Sequence, residues 1–227
     1  MRQILLVSVA IFISVQSIHA QTTVTVIQPY FYRNPTKLAI IGGYNLSTAT
    51  VHVNGAAEPT QYHNSFGLGI LWKSQFDGNL YFSPYAEING RGYGYSATVS
   101  GVTTKYQNSM YYLDLAPALS LDFSVNKQHP NQKVVFSFSP VFSLALAGTE
   151  KQTKNGVTTS SKMKFSIDGD YGILDIGLNW SAAYQMNDKF VQIGYQLGVA
   201  NIDNNAPTDN RNIQNRMLSL TLGYYLK

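Results

Sequence analysis

Residues 190–199 read Phe-Val-Gln-Ile-Gly-Tyr-Gln-Leu-Gly-Val, and residues 218–226 read Leu-Ser-Leu-Thr-Leu-Gly-Tyr-Tyr-Leu. In the first, Val191, Ile193, Tyr195, Leu197 and Val199 share one face, while Gln192, Gly194, Gln196 and Gly198 share the other. In the second, Leu218, Leu220, Leu222, Tyr224 and Leu226 stand against Ser219, Thr221 and Gly223. Side chains alternate across a strand, so this period of two marks strands with one apolar and one polar face. A soluble sandwich uses the same pattern with its apolar face turned inward. Here the polar face is built of Gly, Ser, Thr, Gln and Asn rather than charged surface residues. That composition suits a crowded barrel interior with the apolar face turned to lipid.

The totals agree. Charged residues are 12% of the chain, against ~25% in soluble proteins, while aromatics reach 13% with sixteen Tyr. At 227 residues the chain holds one all-β domain behind a leader. Arg2 is a short basic region, residues 4–13 are apolar, and Ser17-Ile18-His19-Ala20 ends on a small residue before Gln21. This is the composition of a secretory signal peptide, residues 1–20, too short to span a bilayer as a helix. With no Cys there is neither a lipid-anchor cysteine nor a disulfide. An exported chain of this kind is secreted, periplasmic or an outer-membrane barrel. The net charge of +4 falls to +3 when Arg2 leaves, and no loop carries a Lys/Arg run, which argues against nucleic acid as a partner.

Residues 21–36 read as a periplasmic lead-in, interrupted by Pro29 and Pro35. Alternation then places strands at residues 37–47, 65–73, 80–91, 110–125, 133–147, 170–185, 190–199 and 218–226. Long polar connections (48–63, 92–108, 148–164, 201–212) alternate with short ones (74–79, 126–132, 186–189), the first of which carries the hairpin signal Asp77-Gly78. Eight antiparallel strands with long and short links in turn are the plan of an up-and-down transmembrane β-barrel, residues 37–227. Trp72, Phe82, Phe123, Phe136, Tyr184 and Tyr224 fall on outward faces beside the short links, where an interfacial aromatic girdle belongs.

Three stretches carry a family likeness. They are Gly43-Tyr44-Asn45-Leu46-Ser47, Tyr112-Leu113-Asp114-Leu115-Ala116-Pro117 and Tyr195-Gln196-Leu197-Gly198-Val199-Ala200-Asn201-Ile202-Asp203. With them the chain resembles the PorT-like outer-membrane β-barrel domains of Bacteroidetes, over nearly all of its mature length. The resemblance implies a small, OmpX-sized, eight-stranded barrel with no cofactor and no catalytic residues. The chain departs from that pattern in three places. Glu87 is followed by Ile88-Asn89 rather than an apolar-aromatic pair, an extra residue precedes Pro117, and the chain ends Tyr-Tyr-Leu-Lys rather than on an aromatic.

Glu87, Arg91, Asp114, Asp122 and Asp175 all fall on inward faces. Eight strands enclose room for side chains and not for a water channel, so these charges are expected to pair as a polar plug. His63-Asn64-Ser65, at the outer end of the second strand, is the one arrangement that resembles a hydrolase site, where base and nucleophile must lie within hydrogen-bond reach. Gly90-Arg91-Gly92-Tyr93-Gly94 precedes no helix and so is a loop shoulder rather than a phosphate loop. The Asp/Asn group from Asp203 to Asp209 has oxygen ligands of the kind Ca²⁺ takes, but reads first as a solvated loop set by Pro207. No catalytic, cofactor or metal residue is assigned.

The sequence therefore predicts a small, monomeric outer-membrane barrel, in contact with lipid and lipopolysaccharide, whose outer loops serve a structural role or meet a protein or glycan. The competing readings are a lipid-modifying hydrolase, an accessory subunit of a secretion apparatus, and a soluble lipocalin-like binder.

Overall fold

The computed structural model describes residues 35–99, 101–126, 129–166, 169–204 and 211–226. The chain divides into two units, Met1–Arg33 and Asn34–Lys227. The expected leader and nearly all of the lead-in lie outside the described residues.

The second unit is one antiparallel sheet of twelve strands: β1 (Lys37–Val53), β2 (Ala56–Glu58), β3 (Thr60–Asp77), β4 (Leu80–Phe82), β5 (Tyr85–Val99), β6 (Val102–Ala116), β7 (Leu119–Asn126), β8 (His129–Lys154), β9 (Val157–Lys162), β10 (Leu174–Met186), β11 (Lys189–Gly198) and β12 (Arg211–Tyr225). The pairings run β1–β12–β11–β10–β8–β6–β5–β3, and β3 pairs with β1 again. Among the described residues no helix is long and apolar enough to cross a membrane.

Eight strands were expected and twelve are present among the described residues, for two physical reasons. Prolines cannot donate to a ladder, and Pro84 and Pro117 interrupt what are otherwise single runs, parting β4 from β5 and β6 from β7. The other two, β2 and β9, are the return arms of hairpins inside stretches read as loops. Their turns are Asn54-Gly55 (φ 52° and 80°) and Asn155-Gly156 (φ 51° and 77°), two residues in succession in the left-handed region. Asn-Gly is the pair that tolerates this. β5 and β6 likewise run on to Val99 and Val102, through residues expected to form a loop.

Those three stretches were read as loops because their alternation of apolar and polar fades, although the strands continue. At the other end, the two-residue links Gly78-Asn79 and Asn187-Asp188 are the tight turns expected. The molecule thus has a hairpin end and an opposite, terminal end.

Faces follow the sequence period. Leu220, Leu222, Ile193 and Trp180 are 48%, 65%, 59% and 43% exposed, so the apolar side of each ribbon points out of the sheet's closed circuit and not into a dry centre. This is the reverse of a soluble binder's arrangement. The six expected girdle aromatics all point outward near the terminal end. Inside, two apolar clusters, one including Tyr93, Met110 and Tyr112 and the other Ile41, Phe190 and Tyr225, share the interior with Asn, Ser, Thr and charged side chains.

Three prolines stand in one row. The flanking pairs Phe82↔Leu119 and Tyr85↔Ala116 set Pro84 opposite Pro117. Likewise Leu115↔Phe142 and Leu119↔Phe138 set Pro117 opposite Pro140. Ser83 N–H donates to Ala118 O at 2.8 Å, which turns the Ala118 carbonyl toward β4 while the Ala118 N–H closes back on Ala116 O at 3.0 Å; by alternation the backbone of Pro117 faces Pro140. Neither proline has an N–H to offer there, and the buried Ser139 hydroxyl donates to the Pro140 carbonyl instead, at 2.6 Å. Outside this row lies an apolar groove of about 430 Å³ lined by Trp72, Pro84, Pro117 and Phe142 among others.

Candidate functional site

The interior charges form two groups, each fixed by strands whose inward positions the period of two dictates. In the upper group Asp114, Ser143 and Asp175 lie in one cross-strand row on β6, β8 and β10. Arg91 reaches them from β5. Its Nη2 donates to Asp114 Oδ2 and, at 3.1 Å, to Ser143 Oγ, and its Nη1 to Asp175 Oδ2 at 3.3 Å. The guanidinium lies over the Tyr112 ring, 4.9 Å from its centroid. Asn89 Nδ2 donates to Asp114 Oδ2 (2.8 Å), Asn45 Nδ2 to Asn89 Oδ1 (2.9 Å) and Asn215 Nδ2 to Asp175 Oδ2 (2.9 Å). Arg91 is 1% exposed and Asp114 0%.

One guanidinium thus ties four strands together across the interior. Arginine suits this place because its planar fork offers several fixed donors and keeps its charge when buried. Glu87, paired in register with Asp114, extends that same row onto β5 and is buried. The lower group sits near the terminal end, where Lys73 Nζ donates to both Asp122 oxygens (2.6 and 2.8 Å) and Lys133 Nζ to Oδ2 (3.3 Å). Both ammonium groups lie over the Tyr81 ring.

All five predicted inward charges are therefore buried, and four of them are in ion pairs. The two lysines that complete the lower group went unread. Carrying the same alternation one step further, to the strand ends, places Lys73 and Lys133 inward as well.

Space inside follows the charge. A cavity of about 630 Å³ at the terminal end is lined by Lys37, Lys73, Tyr81, Asp122, Lys133 and others. Deeper in, the two gaps beside Glu87 and beside Ser83 are about 20 Å³ each, room for a single water. At the hairpin end the interior is filled by rings: Tyr95 stacks on Tyr106 (4.7 Å, 9°) and Tyr93 on Tyr95 (6.2 Å, 27°). Tyr171 donates to Glu150 Oε2 at 2.7 Å. Burial pushes the Tyr171 hydroxyl well above its ordinary range, so it stays a donor at any physiological pH.

The His63/Ser65 arrangement, weighed in the sequence as a competing hydrolase reading, makes no base–nucleophile contact. Ser65 donates to the Gly90 carbonyl at 2.5 Å, while His63 Nε2 lies 3.5 Å from Ser109 Oγ on β6. The β3–β5 register shifts between Tyr62 and Gly67, and a Cβ on Gly92 would collide with the His63 ring. That ring therefore lies over Gly92, toward β6. Of the Asp/Asn group at 203–209, Asp203 is buried and accepts from Arg211 Nε at 2.8 Å; residues 205–209 lie outside the described residues. Among the described residues no group of three or more His, Cys, Asp or Glu is placed to hold a metal ion.

No protein-family model matches the chain and no curated protein matches it, so the PorT-like resemblance rests on its three quoted motifs. Among solved structures the chain is similar to Neisserial surface protein A, at 10% identity and a TM-score of 0.40, over 84% of this chain and 99% of that one. It is similar to Ail, the attachment invasion locus protein of Yersinia pestis, at 12% and 0.37, over 85% and 100%. It is also similar to the outer membrane protein OprG from Pseudomonas aeruginosa, at 11% and 0.42, over 84% and 95%.

Proposed function

We propose that this chain is an eight-stranded transmembrane β-barrel of an outer membrane, with no conducting pore, that acts through the hairpins at its outer end. In this reading β4 with β5, and β6 with β7, each form one membrane strand kinked at a proline, and β2 and β9 are extensions beyond the bilayer. One observation carries it: a belt of large apolar residues, Ile70, Trp72, Leu115, Phe138, Trp180, Ile193 and Leu220 among them, points outward, while ion-paired and hydrogen-bonded side chains close the interior beside its two apolar clusters. Lipid is the solvent that rewards this arrangement, since water would leave a continuous apolar belt uncovered. The Arg91 group and the tyrosine stack leave no through-path, so the role is structural or one of surface contact, with a protein or glycan met by the Tyr-, Thr- and Asn-rich hairpins.

The protein should fractionate with outer membranes, need detergent for extraction, and migrate differently in gels when boiled and unboiled. Recovery in the aqueous fraction without detergent, with no heat-dependent shift, would overturn the reading. A conductance step on reconstitution into planar bilayers would overturn the closed lumen.

A further inference from the structure

We propose that the outward face of the β6–β8–β9 arm binds the phosphorylated headgroup of an outer-leaflet lipid, through Lys105, Lys151 and Lys162. The inference deepens the outer-membrane reading and rests on it. Lys151 stands opposite Gln107 on β6 and Ser160 on β9; Lys105 is opposite Thr153, and Lys162 opposite Thr149. All three therefore share one face, and Lys151 is the diagonal neighbour of each of the others, at roughly 7–8 Å between backbones. That face continues downward through Ser109 into Tyr111, Leu113 and Leu115 on β6. Lys162, Lys151 and Lys105 stand two, four and six residues above the Tyr111 row, about 7, 13 and 20 Å along the strands and less in height because barrel strands tilt. Lys162 thus lies at headgroup depth directly over the hydrocarbon belt, and Lys151 and Lys105 stand in succession above it.

The charge on this face is uncompensated. None of the three lysines forms an ion pair among the described residues. The arm's carboxylate, Glu150, belongs to the opposite face, where Gln152 Nε2 (2.6 Å) and the Tyr171 hydroxyl donate to it. Between the lysines stand the hydroxyls of Thr149, Thr153, Thr158 and Ser160, on strands whose register sets them on the same side. Ammonium groups with interleaved hydroxyl donors match phosphate oxygens, and long Lys stems can bend toward the bilayer surface without burying their charge. In a chain with 12% charged residues, three unpaired cations on one face above the belt are a concentration of charge.

The test uses the full chain in phosphatidylcholine nanodiscs, doped with lipid A bearing two phosphates or with its dephosphorylated form, and reads retained lipid by native mass spectrometry. The wild type should retain the phosphorylated form preferentially. Lys151→Glu should weaken retention, and Lys105→Gln/Lys151→Gln/Lys162→Gln should weaken it on the order of a hundredfold, from about fivefold per lysine. Lys154→Glu, the same charge change on the opposite face of the same hairpin, should leave it unaltered. Equal retention of the two lipids, or equal loss in Lys151→Glu and Lys154→Glu, overturns the proposal alone. Failure of the wild type to insert into phosphatidylcholine overturns the barrel reading and this proposal with it.

Discussion

Arg91 is the side chain on which the interior depends most. Replacing it with Met leaves Asp114 and Asp175 buried without a cation, a change that costs about 3–5 kcal/mol for a buried pair broken on one side. Arg91→Met should therefore lower the urea midpoint of the micelle-folded protein sharply. Adding Asp114→Asn and Asp175→Asn should recover much of the loss, because the uncompensated charge has gone. If the single variant unfolds with the wild type, the buried network contributes nothing measurable. Gly223 offers a second reading at this scale. A Cβ there would run into the outer end of the Phe190 ring, which reaches the glycine from the next strand. Gly223→Val should cost about 1–3 kcal/mol by overpacking, measured in the same titration. The inward charges were legible in sequence because their strands alternate cleanly. The clash at Gly223 was not, since nothing in one strand shows which ring its neighbour brings to it.

Among the elements, the proline row is the feature that most departs from a regular ladder. Pro117→Ala returns an N–H facing the Pro140 carbonyl, and should add about 0.5–1.5 kcal/mol, the net worth of one ordinary hydrogen bond. A rise in the urea midpoint would show this; a fall would mean that the kink at residue 117 is needed for packing around the Trp72 groove. Strand identity was readable wherever the outward face is apolar, as on residues 65–73 and 218–226. It was lost above the belt, because there both faces of β8, β9 and β6 are free to be polar while Thr, Tyr and Val still favour extended backbone. The Asn54-Gly55 and Asn155-Gly156 signals were present in the sequence, and would have converted two of those loops into hairpins.

For the whole molecule, the outward belt predicts how a charge placed in it behaves. Ile193 lies on β11 between Ala182 and Leu220, inside the apolar run that extends from Val191 to Val199. Ile193→Arg should cost about 2–4 kcal/mol in phospholipid bilayers, the penalty for a cation near the bilayer midplane. An Arg tolerated there without loss would place that face in water. The closed circuit of pairings has a consequence in time as well as in space. β1 is completed by β12, the strand farthest from it in sequence among the described residues, through a register that runs from Ala39↔Tyr225 to Val53↔Arg211. Until those residues arrive, two raw backbone margins must be shielded by something other than hydrocarbon, which tolerates no open sheet. In the proposed barrel, synthesis and insertion are thereby separated: the chain has to be kept from the membrane until β1 and β12 can meet.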